Sequence, residues 1–234
     1  MPKDAINEYS TLDLTDDRAQ ALQLMPVSRE TLARLDRFVE ILLPVAAHTN
    51  LIARSTIPQL WTRHIADSLQ LLSLAPDAKC WIDLGSGAGF PGLVIACALA
   101  DQPGASIHLV ESIQKKAAFL REAMQQIQVP AKVHAVRIED FGKNTDIRAD
   151  VVTARALAPL DDLMRLAHPL LKSGALGLFP KGQDVEGELT EASKSWNIEA
   201  SLVPSKTSPA SRIVVVNALA PRQKTVKSHV RSRR

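Results

Sequence analysis

Absences narrow the reading first. No apolar stretch in the 234 residues approaches the roughly 18–20 uninterrupted residues that cross a bilayer, so no membrane-spanning helix is expected. The opening MPKDAINEYSTLDLTDD is polar and acidic, and fits neither a secretory signal nor a transit peptide. Cysteine is nearly missing: Cys80 and Cys97 show no metal-ligand spacing, and their apolar neighbours mark them as small buried thiols. His48, His108, His134, His168 and His229 show no ligand spacing either, and no metal is expected. Internal repeats are absent, as are low-complexity segments apart from one charged tail. The expected location is the cytoplasm.

What is present suits one globular domain with an extension. Hydrophobic residues make up 46% and charged residues 23%, ordinary for a chain that buries a real core. The net charge of +3 says less than its distribution. Acids crowd the start at Asp4, Glu8, Asp13, Asp16, Asp17 and Glu30. Residues 222–234 carry Arg222, Lys224, Lys227, Arg231, Arg233 and Arg234 with no acid. Such a tail suits contact with nucleic acid, and equally a solvated solubility element.

From Ser28, SRETLARLDRFVEILLPVAAHT begins with an imperfect capping box and repeats Leu32, Leu35, Phe38, Val39 and Leu42 at helical spacing. Pro58 opens a second predicted helix through WTRHIADSLQLLSL, which Pro76 and Asp77 end. Beyond residue 78, short apolar runs alternate with amphipathic segments. Strands are predicted over 80–84, 106–111, 132–136, 150–153, 175–180 and 212–217, and helices over 93–100, 113–127, 160–170 and 185–195. This alternation implies an α/β fold, a mostly parallel central sheet with helices on both faces. The domain reading is an N-terminal helical extension over 1–77, its first 25 or so residues mobile, a ligand-binding domain over 78–220, and a disordered basic tail over 221–234.

Ligands of such sheets bind beyond the carboxyl ends of the strands, where the strand order reverses. The stretch CWIDLGSGAGFPGLVIA places Asp83 at that edge, followed by glycines at 85, 87, 89 and 92. Two readings compete. Gly87-Ala88-Gly89-Phe90-Pro91-Gly92 fits the dinucleotide pattern G-x-G-x-x-G. Asp83-x-Gly85-x-Gly87-x-Gly89 fits the loop of S-adenosylmethionine-binding Rossmann-like folds. The dinucleotide version needs glycines directly after the strand and a helix N-terminus open to a pyrophosphate. Here the match starts four residues after Asp83, and Pro91 stands where amides are needed. An acid at the strand end suits a cationic ammonium group, and glycines let backbone approach a ligand closely. S-Adenosylmethionine is therefore the favoured cofactor. Glu111, ending the second predicted strand, is a candidate for the ribose hydroxyls in either nucleotide fold, or a plain charge at the next helix N-terminus. In the third βα connection Ile138 offers an apolar wall and Glu139 polar contacts for an adenine.

Along the chain stand WTRHIADSL, IDLGSGAGFPG, VES-x-x-KK-x-x-FL, RIEDF, ARALAPL, FPKGQ and RIVVV, in that order. With these motifs the chain resembles, over roughly residues 28–217, the RsmG family (glucose-inhibited division protein B) of bacterial small-subunit rRNA guanine-N7 methyltransferases. The resemblance implies a Rossmann-like class I S-adenosylmethionine-dependent methyltransferase acting on 16S ribosomal RNA, free or within the 30S subunit. It also implies that Gly85 and Phe90 contact the cofactor, that Ile138 and Glu139 meet its adenosine part, and that Arg155 binds it further along. A monomer is expected.

Guanine N7 carries a lone pair and no proton, so attack on a sulfonium methyl needs alignment rather than a general base. No Asn-Pro-Pro-Tyr or Asp-Pro-Pro-Tyr motif for amino-group methylation occurs, and no Pro-Cys dipeptide for pyrimidine C5. For RNA, Arg63, His64, Asp67 and Ser68 follow at helical spacing. Asp67 could accept the Watson–Crick N–H groups of guanine and Arg63 could hold a phosphate, although a structural cap or ion pair would use the same residues. Asn50, Arg155, Lys181 and Arg212 stand at predicted element ends near the cleft, with a solvated turn the alternative for Lys181. Arg155, Asp67 and His64 are thus the candidate catalytic residues, acting by position. Asn50, Arg63, Ser68, Lys181 and Arg212 are the RNA-binding candidates. The rivals are a methyltransferase of another RNA or a small molecule, and a non-catalytic RNA-binding protein with this fold.

Overall fold

The computed structural model describes residues 12–222. Asp4, Glu8 and the tail cations from Lys224 onward lie outside the described residues. The strands are β1 (Cys80–Leu84), β2 (Ser106–Val110), β3 (Ala131–His134), β4 (Val151–Thr153), β5 (Leu176–Lys181), β6 (Trp196–Pro204) and β7 (Arg212–Pro221). They form one sheet in the order β3-β2-β1-β4-β5-β7-β6. The first five strands are parallel, and β7 runs antiparallel to both β5 and β6. The chain leaves β1 toward β3 and returns on the other side at β4, so the switch point lies between β1 and β4.

Alternate strand residues feed two cores. Trp81, Ile107, Val151, Leu178 and Ile213 join one cluster, while Ile82, Val110, Val152, Phe179 and Val214 join the other. The first cluster is covered by α2 (Arg29–Ala46), α4 (Gly92–Ala98) and α5 (Gln114–Ile127). The second is covered by α6 (Ile138–Asn144), α7 (Leu160–Leu171) and α8 (Val185–Ser195). Cys97 is fully buried, and burial pushes its thiol up to about 12.

Helix α2 starts as its sequence indicates: Ser28 Oγ accepts from the Thr31 backbone N–H at 3.1 Å, and Leu35, Phe38 and Leu42 are fully buried. The extension is therefore packed on the same core as the sheet. Within the stretch expected to be mobile, Thr15–Leu24 form helix α1. The Asp17 carboxylate accepts from the N–H groups of Trp61 and Thr62 at 2.7 and 3.2 Å, and Arg18 forms a bidentate pair with Asp36. The second helix runs without a break through Trp61 to Leu74, as expected, but it is not a regular α-helix. Pro58 lies inside 3-10 turns over Arg54–Gln59, a π-helical turn spans Trp61–Ala66, and a short α3 (Asp67–Leu69) leads to 3-10 turns over Gln70–Leu74. In the RIEDF connection Ile138 opens α6, a helix that was not among those predicted. Strand β6 was not among the predicted strands. Among the described residues no helix is long and apolar enough to cross a membrane.

Candidate active site

Two loops meet at the switch point, one after β1 and one after β4. In the first, Gly85, Gly87 and Gly89 have φ of +70°, +54° and +97°, where a Cβ is disfavoured. The N–H groups of Gly85 and Ser86 both donate to the Val110 carbonyl, at 2.9 and 3.1 Å, which ties the loop to β2. A Cβ on Gly85 would come within 2.7 Å of Leu157 Cδ1, so the two loops touch. Over Gly87 the space is open, the nearest neighbour of a Cβ being the Gly85 carbonyl at 3.7 Å.

Asp83 lies beneath this loop, almost fully buried. Its Oδ2 accepts from the Gly92 N–H at 3.1 Å, whereas Oδ1 has no partner. Burial pushes the carboxyl up to about 7, against the pull of its hydrogen bonds and of Arg155. A buried, unpartnered carboxylate oxygen at the strand end calls for a cation, and the open glycine turn beside it can take backbone contact with a ligand. These features fit S-adenosylmethionine, whose ammonium would meet Asp83 and whose body would lie along Gly85 and Gly87.

Glu111 sits at the start of the next helix, the second of its two expected roles. Its Oε2 accepts from the Gly87 N–H at 3.0 Å and its Oε1 from the Ile113 N–H at 2.7 Å. The carboxylate therefore braces the glycine loop and caps the start of α5, so ribose hydroxyls would share only its remaining lone pairs.

Beside the loop, Phe90 anchors a stack of polar side chains. Phe38 of α2 supports its ring from the core, with centroids 5.4 Å apart. The His64 imidazole stacks on Phe90 at 4.9 Å, and the Arg155 guanidinium lies 5.3 Å from the same ring. Arg155 donates to the Arg63 carbonyl at 3.0 Å and to His64 Nδ1 at 2.5 Å, and lies 3.7 Å from Asp67 Oδ2. The hydrogen bonds settle the tautomer. Nδ1 must accept from Arg155, and Thr56 Oγ1 gives its proton to the Ala53 carbonyl, so Nε2–H donates to Thr56 at 2.9 Å. Burial, with the charges of Arg155 and Arg63, pulls the imidazole down to about 3. Burial pushes Asp67 upward, and Arg155 opposes that shift. Ala156 follows with φ of +52°, a left-handed turn that redirects the chain from Arg155 to Leu157.

A cleft of ≈ 750 Å³ opens over this assembly. Of the expected residues, Gly85, Gly87 and Phe90 form part of its lining, as do Arg63, His64, Asp67, Arg155, Lys181 and Arg212. The others do not. Asp83, Gly89 and Glu111 lie behind the lining, as described. Ser68 is buried and donates to the His64 carbonyl at 2.5 Å, so it cannot reach RNA. Asn50 is exposed just outside the cleft, whose lining begins at Leu51. Ile138 packs against the second core and Glu139 is exposed in the first turn of α6, outside the cleft lining. Lys181 is neither a solvated turn residue nor a free cation: it pairs with Glu188 at 2.6 Å and donates to the Ala158 carbonyl at 3.0 Å. Arg212 keeps its guanidinium on the Pro209 and Ser211 carbonyls. Sequence reasoning missed Thr56, Lys116 and, between β6 and β7, Ser205, Thr207, Ser208 and Ser211, which also line the cleft. The polar run SKTSPAS was the available signal.

A mostly parallel sheet with its glycine turn, buried acid and cleft at the switch point defines an S-adenosylmethionine-dependent methyltransferase of class I. A solved structure described as a mutant of MtNAS in complex with S-adenosylmethionine shares this fold, with a TM-score of 0.53 and 15% identity over 87% of this chain and 77% of that one. The chain belongs to the rRNA small subunit methyltransferase G family, which it matches over residues 31–214. It is 59% identical over 203 residues to ribosomal RNA small subunit methyltransferase G of Bradyrhizobium sp. strain BTAi1, covering 87% of this chain and 91% of that protein. With the protein of the same name from Bradyrhizobium diazoefficiens it shares 60% identity over 191 residues, 82% of this chain and 74% of that one.

Proposed function

We propose that this protein methylates N7 of a guanine in 16S ribosomal RNA, working as a cytoplasmic monomer on free RNA or on the 30S subunit. Family membership supports the RNA and the acceptor atom, and one observation agrees with an acceptor that has no proton to lose: His64, which lines the cleft, has both ring nitrogens committed. An amino group or hydroxyl would have to lose a proton during transfer; N7 does not.

S-Adenosylmethionine bound along the glycine turn supplies an electrophilic methyl carbon. The chain's own residues hold and orient. Asp83, buried behind the lining, supplies negative charge beneath the glycine turn that favours a cationic group there, and the glycines let backbone come close. Phe90, held by Phe38 and capped by His64 and Arg155, forms a rigid side to the site. Arg63 is exposed at the cleft and available to a phosphate, while the Asp67 Oδ2 retains lone pairs for a guanine N–H. Positive charge moves onto the purine as the methyl transfers, and the carboxylate of Asp67 favours that change.

The test uses 16S RNA from cells lacking the protein, with radiolabelled cofactor and mass spectrometry of the product. One 7-methylguanosine should form, and replacing the target base by 7-deazaguanine should abolish transfer. Methylation that persists on the deaza substrate would move the acceptor to another atom.

A further inference from the structure

We infer that Gln70 is a positioning residue for the RNA: it pins the loop between β6 and β7 as one wall of the cleft. The inference rests on reading the cleft as the site of rRNA methylation, and adds the part that holds the acceptor in place. Gln70 is 2% exposed and 135 residues from the loop it holds. Its Nε2 donates to Asp67 Oδ1 at 2.7 Å and reaches Ser205 Oγ at 3.2 Å, while its Oε1 accepts from the Lys206 N–H at 2.9 Å. Only this orientation of the amide gives the carboxylate a donor and the backbone N–H an acceptor. Thr207 Oγ1 adds a bond to the same Asp67 oxygen at 2.9 Å.

The pinned loop has the chemistry of a nucleic-acid contact. Ser205, Thr207, Ser208 and Ser211 line the cleft, followed by Arg212, and Lys206 is exposed beside them. Hydroxyls with Lys and Arg suit ribose and phosphate oxygens. A loop already fixed by a buried amide loses less freedom when RNA arrives. Arg155, His64 and Phe90 lie on the far side of Asp67 and hold one another by their own contacts, so the loop is the part that depends on Gln70.

The test compares Gln70→Met, which keeps the shape but loses every polar contact, with Thr207→Val and Ser205→Ala in the partly exposed loop. Methyl transfer to unmodified 16S RNA and S-adenosylmethionine binding by calorimetry are both measured. Gln70→Met should raise the RNA KM by about tenfold or more while cofactor affinity stays within about twofold. Thr207→Val should shift KM the same way by less, and the double variant should fall short of the product, since both release one loop. An unchanged RNA KM in folded Gln70→Met, or a loss of cofactor affinity equal to the loss for RNA, would overturn the inference. If Gln70→Met does not fold, an unchanged KM in both loop variants overturns it. Wild-type protein that binds cofactor but methylates no rRNA would instead sink the functional reading itself.

Discussion

Arg155 Nη2 lies 2.5 Å from His64 Nδ1, and this contact makes the histidine an acceptor rather than a base. With Nε2 on Thr56, no nitrogen of the ring is left for a substrate proton. Between about pH 6.5 and 9 the single-turnover rate at saturating cofactor should therefore be flat. His64→Gln should lower it modestly. A rate that falls with protonation near pH 6.5, and loses that dependence in His64→Gln, would reassign the acceptor to an amino group or hydroxyl.

The same histidine bears on stability. Folded His64 takes up a proton only near pH 3, while the unfolded chain does so near 6.5. The unfolded state thus binds more protons between these values, and the contribution present above pH 6.5 is lost as pH falls toward 3. His64→Gln should show a shallower loss of Tm on acidification; an identical acid profile would show that the imidazole is not held neutral.

Asp83 sets a different pH dependence, in cofactor binding. With its carboxyl near 7 in the cofactor-free protein, a bound cation must draw off a proton at lower pH. S-Adenosylmethionine affinity should rise up to about tenfold per pH unit below 7 and level off above it, with release of up to about one proton per molecule bound. Calorimetry in buffers of different ionisation enthalpy measures that proton directly. Asp83→Asn should bind more weakly with no such slope, and a slope retained in the variant would place the titrating group elsewhere.

Much of this architecture is legible in the sequence. Short apolar runs between glycines and amphipathic segments mark β1 to β5 and β7, because strands buried on both faces need no alternation. The glycine loop is legible because few residues tolerate its backbone. Helix α1 is not: Ala21 is its one buried residue, and it is held by Asp17 and Arg18 reaching distant partners. Strand β6 does alternate, with Trp196, Ile198, Ala200 and Leu202 packing on the second core, but its polar half hides it behind the helix before it. Ser68 fails as a site residue because its segment is buried nearly all round, which polar spacing does not reveal. Lys181 and Glu188 meet only when β5 and α8 pack, so the lysine reads as free until the fold supplies its partner.

Gly87 separates cofactor binding from folding better than its neighbours. A Cβ at Gly85 strikes Leu157 and one at Gly89 strikes Leu93, both at 2.7 Å, whereas Gly87 faces open space. Gly87→Ala should cost about 1–2 kcal/mol of stability for its left-handed φ and leave the chain folded. A β-branched Gly87→Val should abolish S-adenosylmethionine binding by blocking the backbone. Unchanged affinity in folded Gly87→Val would remove this loop from the cofactor site.

The basic tail should be cut after Arg222, not before it. The Arg222 N–H donates to the Ser195 carbonyl and its Nη1 to the Ser193 carbonyl, both at 2.8 Å, so this residue closes the sheet against the end of α8. Deleting 223–234 removes Lys224, Lys227, Arg231, Arg233 and Arg234 without touching that contact. Each phosphate neutralised contributes about 0.7 to the salt slope on single-stranded RNA. Five cations in contact would make the slope shallower by up to about 3.5 on removal, with the modified nucleotide unchanged because phosphate contacts do not read sequence. Filter binding across a salt series checks this. An unaltered slope would make the tail a solubility element, and a changed methylation site would give it a part in recognition.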